Sequence, residues 1–524
     1  MKVFDRLKGI TRLLAVLAMA GGLAAAQQPA KPPAQPPAPR GQQQQKPEQK
    51  ITPEQAKELF ASVDEILKFA SEDSQLPIRG PVKRELMSRS QLHQYLVKKI
   101  AEDRETQRMK RSEAVLKKFG LVPLDFQLEK FLLALLEEQV AAFYEPKTKT
   151  VYLLDWVDPD TQRPVLAHEL THALQDQNFD LDQWMKVKPD PPGKDDSADK
   201  PTDPYDMEPD EARAAREAVT EGQAMVVYMD YALAGSGRTV ADSPALTELF
   251  KQQTAESTKD SPILESAPMY IRESLIFSYT FGLDFEQKLL AAGGKQLAFD
   301  AALRVPPADT RQIMEPQRYL DREKLPPLAF PRIKEGVEKS KYVNYDAGEI
   351  GQFDIYVMLK QFSKEKAAEE EASTWRGAVY WVVQKPGLER KQPVQPSDLA
   401  LFYLSRWATP GDATRFAEQY RSWLPQRYKR VEQAAASATA GDFAQRVSRS
   451  SRWSTESGPV YIEAWGQLVI VLEGFDDRTA AGIRETVLEK PPADVPRTGP
   501  EVPKPEPQPT PLIVPPPKPA VGIH

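Results

Sequence analysis

Val165-Leu166-Ala167-His168-Glu169-Leu170-Thr171-His172-Ala173-Leu174 is the stretch on which the reading of this chain turns. On an α-helix, residues i and i+4 lie one above the other, so the imidazoles of His168 and His172 reach a single ion from one face. Glu169 projects beside that face. It is poorly placed to ligate and well placed to take a proton from a water on the ion. Val165, Leu166, Leu170, Ala173 and Leu174 supply the apolar side that holds such a helix rigid. The chain has only four histidines, His93, His168, His172 and His524. Two of them stand in this motif, so histidine is not in general use here.

A metal that does chemistry needs a third ligand and an open position. The sequence contains no cysteine and no further histidine near the motif, so the third ligand has to be a carboxylate. The next helical segment, Ala215-Arg216-Glu217-Ala218-Val219-Thr220-Glu221-Gly222-Gln223-Ala224, carries two. Glu217 and Glu221 are one turn apart on a shared face, so one can ligate while the other hydrogen-bonds a ligand histidine. One Zn2+ ion is the expected cofactor.

Working outward, residues 126–141 have the pattern of a strongly apolar helix. Val140 to Tyr144 and Val151 to Leu154 are β-like and flank a Glu-Pro-Lys-Thr-Lys turn, a hairpin signal. Helices are expected at 163–178, 209–233 and about 262–303, with a polar insertion at 186–208 and a Pro-rich connection at 304–330. Upstream, Thr52 and Pro53 open a helix with an apolar stripe through Leu59, Phe60, Val63, Ile66, Leu67 and Phe69, and residues 83–119 read as charged amphipathic helix. From about 340 to 489 the pattern is that of a second unit. It has a helix at 346–371, strands near 377–384 and 398–406, a helix at 411–434, strands near 459–473 and a last helix at 476–488. The fold class expected is α+β: a mainly helical part with a small sheet at 51–330, then a second α+β part at 340–489.

The ends read differently. Lys2, Arg6, Lys8 and Arg12 precede a short apolar run closing on Ala24-Ala25-Ala26, the pattern of a signal peptide at 1–26. Residues 27–50 are a Pro/Gln-rich linker and 490–524 a Pro-rich tail, and between them they hold much of the proline, 48 residues in all. An exported, periplasmic or secreted protein with no stable membrane span after signal cleavage is expected. With a net charge of -6 and no basic stripe, nucleic acid is not an expected partner. The acidic insertion (Asp190, Asp195, Asp196, Asp199, Asp203) lacks the ordered spacing of a calcium loop. The Trp- and Tyr-rich strands of the second part (Trp375, Tyr380, Trp381, Tyr403, Trp407, Trp453, Tyr461 and Trp465) read as a packed sheet face before they read as a binding platform.

His168, Glu169 and His172 match, position by position, the motif of the zincin metallopeptidases, and the chain resembles the gluzincin group in particular. Glu221-Gly222 looks like the Glu-Gly signature of many gluzincins, which implies Glu221 as third ligand. The spacing from Glu217 to Glu221 is also similar to the Glu-x-x-x-Asp pattern of thermolysin-like enzymes, which would make Glu217 the ligand. Ala142-Phe143-Tyr144-Glu145-Pro146 through Val151-Tyr152 resembles a group of exported bacterial zincin-like proteins. So, more faintly, do Pro306-Pro307 through Arg311-Gln312-Ile313 and Pro316 to Tyr319. The resemblance implies a zincin-like domain at 51–330, a sheet edge from the 140–154 hairpin that receives an extended peptide, and hydrolysis of a peptide or protein substrate with Glu169 as general base. Zincins add a donor to the oxyanion, for which Tyr228, Tyr231, Tyr279, Arg272 and Tyr319 are candidates. The competing expectation is a non-catalytic envelope protein that keeps a zincin scaffold for binding.

Overall fold

The computed structural model describes residues 50–102, 105–187, 201–207, 209–257, 261–361, 365–388, 393–433 and 449–491. The segments read as signal peptide and as linker up to residue 49, most of the acidic insertion and nearly all of the C-terminal tail lie outside the described residues.

The described residues open with helix α1 (Pro53–Ser74), then strand β1 (Lys83–Met87) and helices α2 (Arg89–Glu102), α3 (Glu105–Phe119) and α4 (Leu128–Gln139). A hairpin of β2 (Ala142–Glu145) and β3 (Thr150–Leu154) leads into α5 (Pro159–Phe179) and then α6 (Asp210–Leu233). Helices α7 (Pro244–Ser257) and α8 (Met269–Lys295) follow, and short helical turns fill residues 310–320. The remainder is β4 (Val343–Glu349), α9 (Gln352–Lys360), α10 (Glu365–Ala372), β5 (Trp375–Gln384), β6 (Leu399–Trp407), α11 (Pro410–Arg427), four strands β7 (Val431–Gln433), β8 (Arg449–Thr455), β9 (Gly458–Trp465) and β10 (Leu468–Glu473), and α12 (Asp477–Glu489). Among the described residues this is a mixed α+β architecture with two sheets.

The helix starts follow their capping chemistry. Thr52 and Gln55 form a reciprocal capping box ahead of Pro53 at the start of α1, and the Asp158 carboxylate accepts from the amides of Asp160 and Thr161 ahead of α5. Both satisfy amide groups that the first turn leaves orphaned.

The small sheet has the order β1-β3-β2, with β1 parallel and β2 antiparallel to β3. The hairpin falls where the sequence put it. Residues 83–87, expected as helix, are instead a strand. β1 carries Lys83, Arg84 and Glu85 and has little strand propensity of its own. It is extended because β3 offers a free ladder beside it, in register from Lys83–Thr150 to Met87–Leu154.

The large sheet is wholly antiparallel, order β4-β5-β6-β10-β9-β8-β7. The helix expected at 346–371 divides into β4, α9 and α10. Gly351 breaks the run, with φ -91° and ψ 178° at the α9 N-cap. The helix expected to reach 434 ends at Arg427, and β7 follows.

Both faces of the sheet are covered. Trp375, Tyr380, Val382, Tyr403 and Trp407 face the main core, whereas Val379, Trp381, Val383, Phe402 and Leu404 face a second cluster with Ile333, Val337 and α12. Tyr380, Trp381, Tyr403 and Trp407 are each at most 1% exposed, so these aromatics pack the sheet and offer no open platform.

The two parts share that main core, which runs without a break from Leu59 in α1 to Trp407 in β6. Two buried guanidinium groups tie them further. Arg311 donates to Glu315 and Glu323, each 2.9 Å away, to Gln352 (2.8 Å) and to the Ser373 carbonyl (2.6 Å). Arg427 pairs with Glu473 and donates to the Lys118 carbonyl of α3. Among the described residues no helix is long and apolar enough to cross a membrane.

Candidate metal centre

Helix α5 is buried from Val165 to Asp176 without interruption, polar residues included. A helix enclosed on all faces is held from all sides: α1, α6 and β2 pack against it. Its N-terminal end is tied to the hairpin by Gln162, whose side chain accepts from the Leu154 amide (3.0 Å) and donates to the carbonyls of Leu154 (3.0 Å) and Val157 (2.8 Å). The motif histidines lie about two and three turns further along the helix.

Helix α6 lies alongside and brings Glu221 to them. His168 Nε2 and His172 Nε2 are 3.1 Å apart, and Glu221 Oε2 is 3.2 Å from the first and 3.3 Å from the second. All three side chains are at most 2% exposed. These atoms form a nearly equilateral triangle. Four ligands at the usual Zn–N and Zn–O lengths of 2.0–2.1 Å would stand about 3.3 Å apart at the corners of a tetrahedron. The triangle therefore fits one face of a tetrahedral zinc site. Among the described residues this is the one group of three or more His, Asp or Glu side chains close enough to share an ion. The orphaned Glu221 Oε1, buried with no hydrogen-bond partner, agrees with a carboxylate that awaits a cation.

The electrostatics suit ligation. Burial, and then the neighbouring His172, lower the His168 pKa and favour a neutral imidazole. Burial works against ionisation of Glu221, but the adjacent His172 and His168 outweigh it and hold its carboxyl well below the ordinary range. Neutral imidazole and ionised carboxylate are the forms that bind metal.

The surrounding groups orient the ligands. Gln175 Oε1 lies 2.9 Å from His172 Nδ1, and Gln175 Nε2 donates to the Thr220 carbonyl (3.0 Å) and to Gln223 Oε1 (2.9 Å). Gln223 Nε2 donates in turn to the Ala298 carbonyl (2.7 Å). This amide chain engages Nδ1 of His172 and leaves its Nε2 turned towards His168 and Glu221. Gln175 was legible in principle, since it stands three residues after His172 on the same helix, but nothing in the sequence says that its partner is Gln223.

Glu169 is 2% exposed and accepts from the Tyr144 amide at 2.9 Å. Tyr144 belongs to β2, at the edge of the small sheet, so the outer rim of that strand faces the metal helix. The Tyr144 hydroxyl and Lys149 both reach Asp176 (2.8 and 2.6 Å) and clamp the hairpin to α5.

Glu217, the alternative third ligand, is outside the triangle, one turn back on α6. Of the five oxyanion candidates, Tyr279 of α8 is the one at the site. Its ring stacks 6.2 Å from His168, and its hydroxyl stands close to the Glu221 carboxylate. Burial and then the negative charge of Glu221, Glu217 and Glu169 push its pKa well up. Tyr319 instead donates to the Val305 carbonyl, and Tyr231 packs on Phe69. For Tyr228 and Arg272 the structure gives no contact with the triad.

A domain family of unknown function, DUF8575, matches residues 340–484. That span holds the large sheet and none of the triad. No curated protein and no solved structure matches the chain.

Proposed function

We propose that this chain is an exported zinc metallopeptidase whose first part is zincin-like, and that it hydrolyses peptide bonds with Glu169 as general base. The observation that carries the proposal is the His168–His172–Glu221 triangle with a fixed carboxylate, Glu169, beside it. His168, His172 and Glu221 would hold the zinc, which when bound would supply Lewis acidity and lower the pKa of a water towards about 7. Glu169 takes a proton on its carboxylate and passes it to the leaving amine. The Tyr144 amide fixes that carboxylate. The rim of β2 offers main-chain groups to an extended peptide, which favours loose side-chain specificity. The Tyr279 hydroxyl is the donor nearest to where negative charge develops on the substrate carbonyl oxygen. The basic, then apolar, then small-residue pattern of residues 1–26 supports action in the periplasm or outside the cell.

One observation favours the second reading, a non-catalytic envelope protein that binds on the same scaffold: the ligands are almost wholly shielded from solvent, as in a closed structural site. A single experiment separates the two. Purified protein is assayed for zinc, then for cleavage of a peptide library with and without chelator, beside a Glu169→Gln variant. The peptidase reading expects one zinc per chain, cleavage that the chelator stops, and a variant that keeps zinc but does not turn over. Wild-type protein that holds zinc and cleaves nothing would refute it in favour of binding. A Glu169→Gln preparation that still cleaves would remove the general-base role.

A further inference from the structure

A cavity of about 530 Å3 lies between the end of α1, the end of α5 and the segment that continues α8. Small-molecule sites run from about 300 to 1,000 Å3, so its size is that of one. Three cations line it, Arg79, Lys295 and Arg304, against one acid, Asp300.

The pairing of these groups leaves donors to spare. Lys295 is paired with Asp73 at 2.5 Å. Arg79 donates through Nε to Asn178 Oδ1 (2.6 Å). Arg304 donates through Nε to the two oxygens of Asp300 (3.0 and 2.8 Å). The terminal nitrogens of Arg79 and Arg304 take no partner among the described residues. A guanidinium meets a carboxylate or a phosphate through parallel N–H bonds, and these two keep free ends for that purpose.

The wall is built in an unusual way. Helix α8 breaks near its end at Gly293 and Gly294, and Gly294, at φ 63° and ψ -165°, adopts a backbone that favours glycine. The chain then forms a π-helix over Gln296–Ala301. Such wide turns are rare and gather at functional sites. Gln296, Asp300 and Arg304, spaced four residues apart across it, all line the cavity. Leu76, Pro77 and Phe179 add apolar surface, and the Arg304 guanidinium lies 5.7 Å from the centre of the Phe179 ring. A ligand with a negative head and an apolar body therefore finds a partner for each half.

We infer that this cavity binds a small organic oxyanion, a carboxylate or phosphate carried on an apolar body, with Arg79 and Arg304 as its anchors. None of His168, Glu169, His172 and Glu221 lines the cavity, so it is independent of the peptidase reading. Benzoate and phenyl phosphate carry the two kinds of head on one ring, and benzyl alcohol carries no charge. Each is titrated by calorimetry into wild type, Arg79→Gln, Arg304→Gln and Arg332→Gln, both zinc-loaded and zinc-stripped. Arg79 and Arg304 are exposed residues, so glutamine there leaves the core intact. Arg332 lies outside this cavity and is the control. At least one of the two anions should bind wild type with a Kd below about 1 mM, and benzyl alcohol should bind at least about tenfold more weakly. Arg79→Gln and Arg304→Gln should each weaken that anion about tenfold, whereas Arg332→Gln and removal of zinc should each change it less than about twofold. The tighter of the two anions identifies the head group, and equal affinity assigns the site to both. A Kd above about 1 mM for both anions, benzyl alcohol bound as tightly as they are, or full affinity in both arginine variants overturns the site. An anion that needs zinc and ignores both arginines sits at the metal centre, and it too overturns the site.

Discussion

Gly222 stands next to Glu221, the proposed third ligand, and replacing it with alanine tests how α6 is held in position. A Cβ at residue 222 would lie 2.3 Å from the Gly282 carbonyl oxygen and 2.4 Å from its carbon. The reciprocal change is as crowded, since a Cβ at Gly282 would lie 2.3 Å from the Ala218 carbonyl oxygen. Helices α6 and α8 therefore touch backbone to backbone at this crossing, and no flexible side chain can yield. Ordinary contact lies near 3.5 Å or beyond, so the helices must part locally by about 1 Å. Overpacking of this kind costs about 1–3 kcal/mol, and with rigid backbone on both sides the upper end is expected. Metal ligands tolerate about 0.2 Å, so a shift of this size beside Glu221 should also weaken zinc binding about 10- to 100-fold, as loss of a supporting contact does. Urea unfolding of the metal-free protein reads the first effect, and competition with a chromophoric chelator reads the second. Gly235→Ala is the control, because nothing lies within 4 Å of a Cβ there, and its midpoint should stay within about 0.5 kcal/mol of wild type. A Gly222→Ala protein with an unchanged midpoint and unchanged zinc affinity would refute both the helix contact and its role in positioning Glu221.

Two further outcomes are expected. Tyr279→Phe should keep zinc and lower kcat about 100-fold, as removal of one oxyanion donor does; turnover equal to wild type would assign the donor elsewhere. Asp230 of α6 faces Asp73 of α1, with Lys295 2.5 Å from Asp73 and the Val240 amide donating to Asp230. Burial, and then Asp73, push the Asp230 carboxyl up to about 7. The folded state then binds more protons than the unfolded state between about pH 4 and pH 7, so stability falls as pH rises through that window. The urea midpoint should drop from pH 5 to pH 8 in wild type and change less in Asp230→Asn, where the amide oxygen still accepts from Val240. Parallel pH profiles for the two proteins would count against the raised carboxyl.

Much of the candidate site was legible. The spacing of His168, Glu169 and His172 is local, and an α-helix converts four residues of separation into one face whatever surrounds it. The hairpin was legible for a similar reason, because a short turn between two β-like runs joins neighbours in sequence. The misread elements depend on distant partners. Lys83 to Met87 is extended because β3, more than sixty residues later, lends it hydrogen bonds. Val343 to Glu349 is a strand because β5 lies beside it.

What the sequence determined by itself is the chemistry on offer: two imidazoles and a carboxylate on one helix, two more carboxylates on another, and no thiol. The resemblance favoured Glu221 over Glu217, and tertiary packing is what brings Glu221 to the imidazoles, because the two acids differ only in height along α6, and Gly222 lies against Gly282 there. It likewise brought Tyr279, of the five candidates, beside Glu221. Such choices depend on distances between segments far apart in the chain, which periodicity along a single helix does not encode.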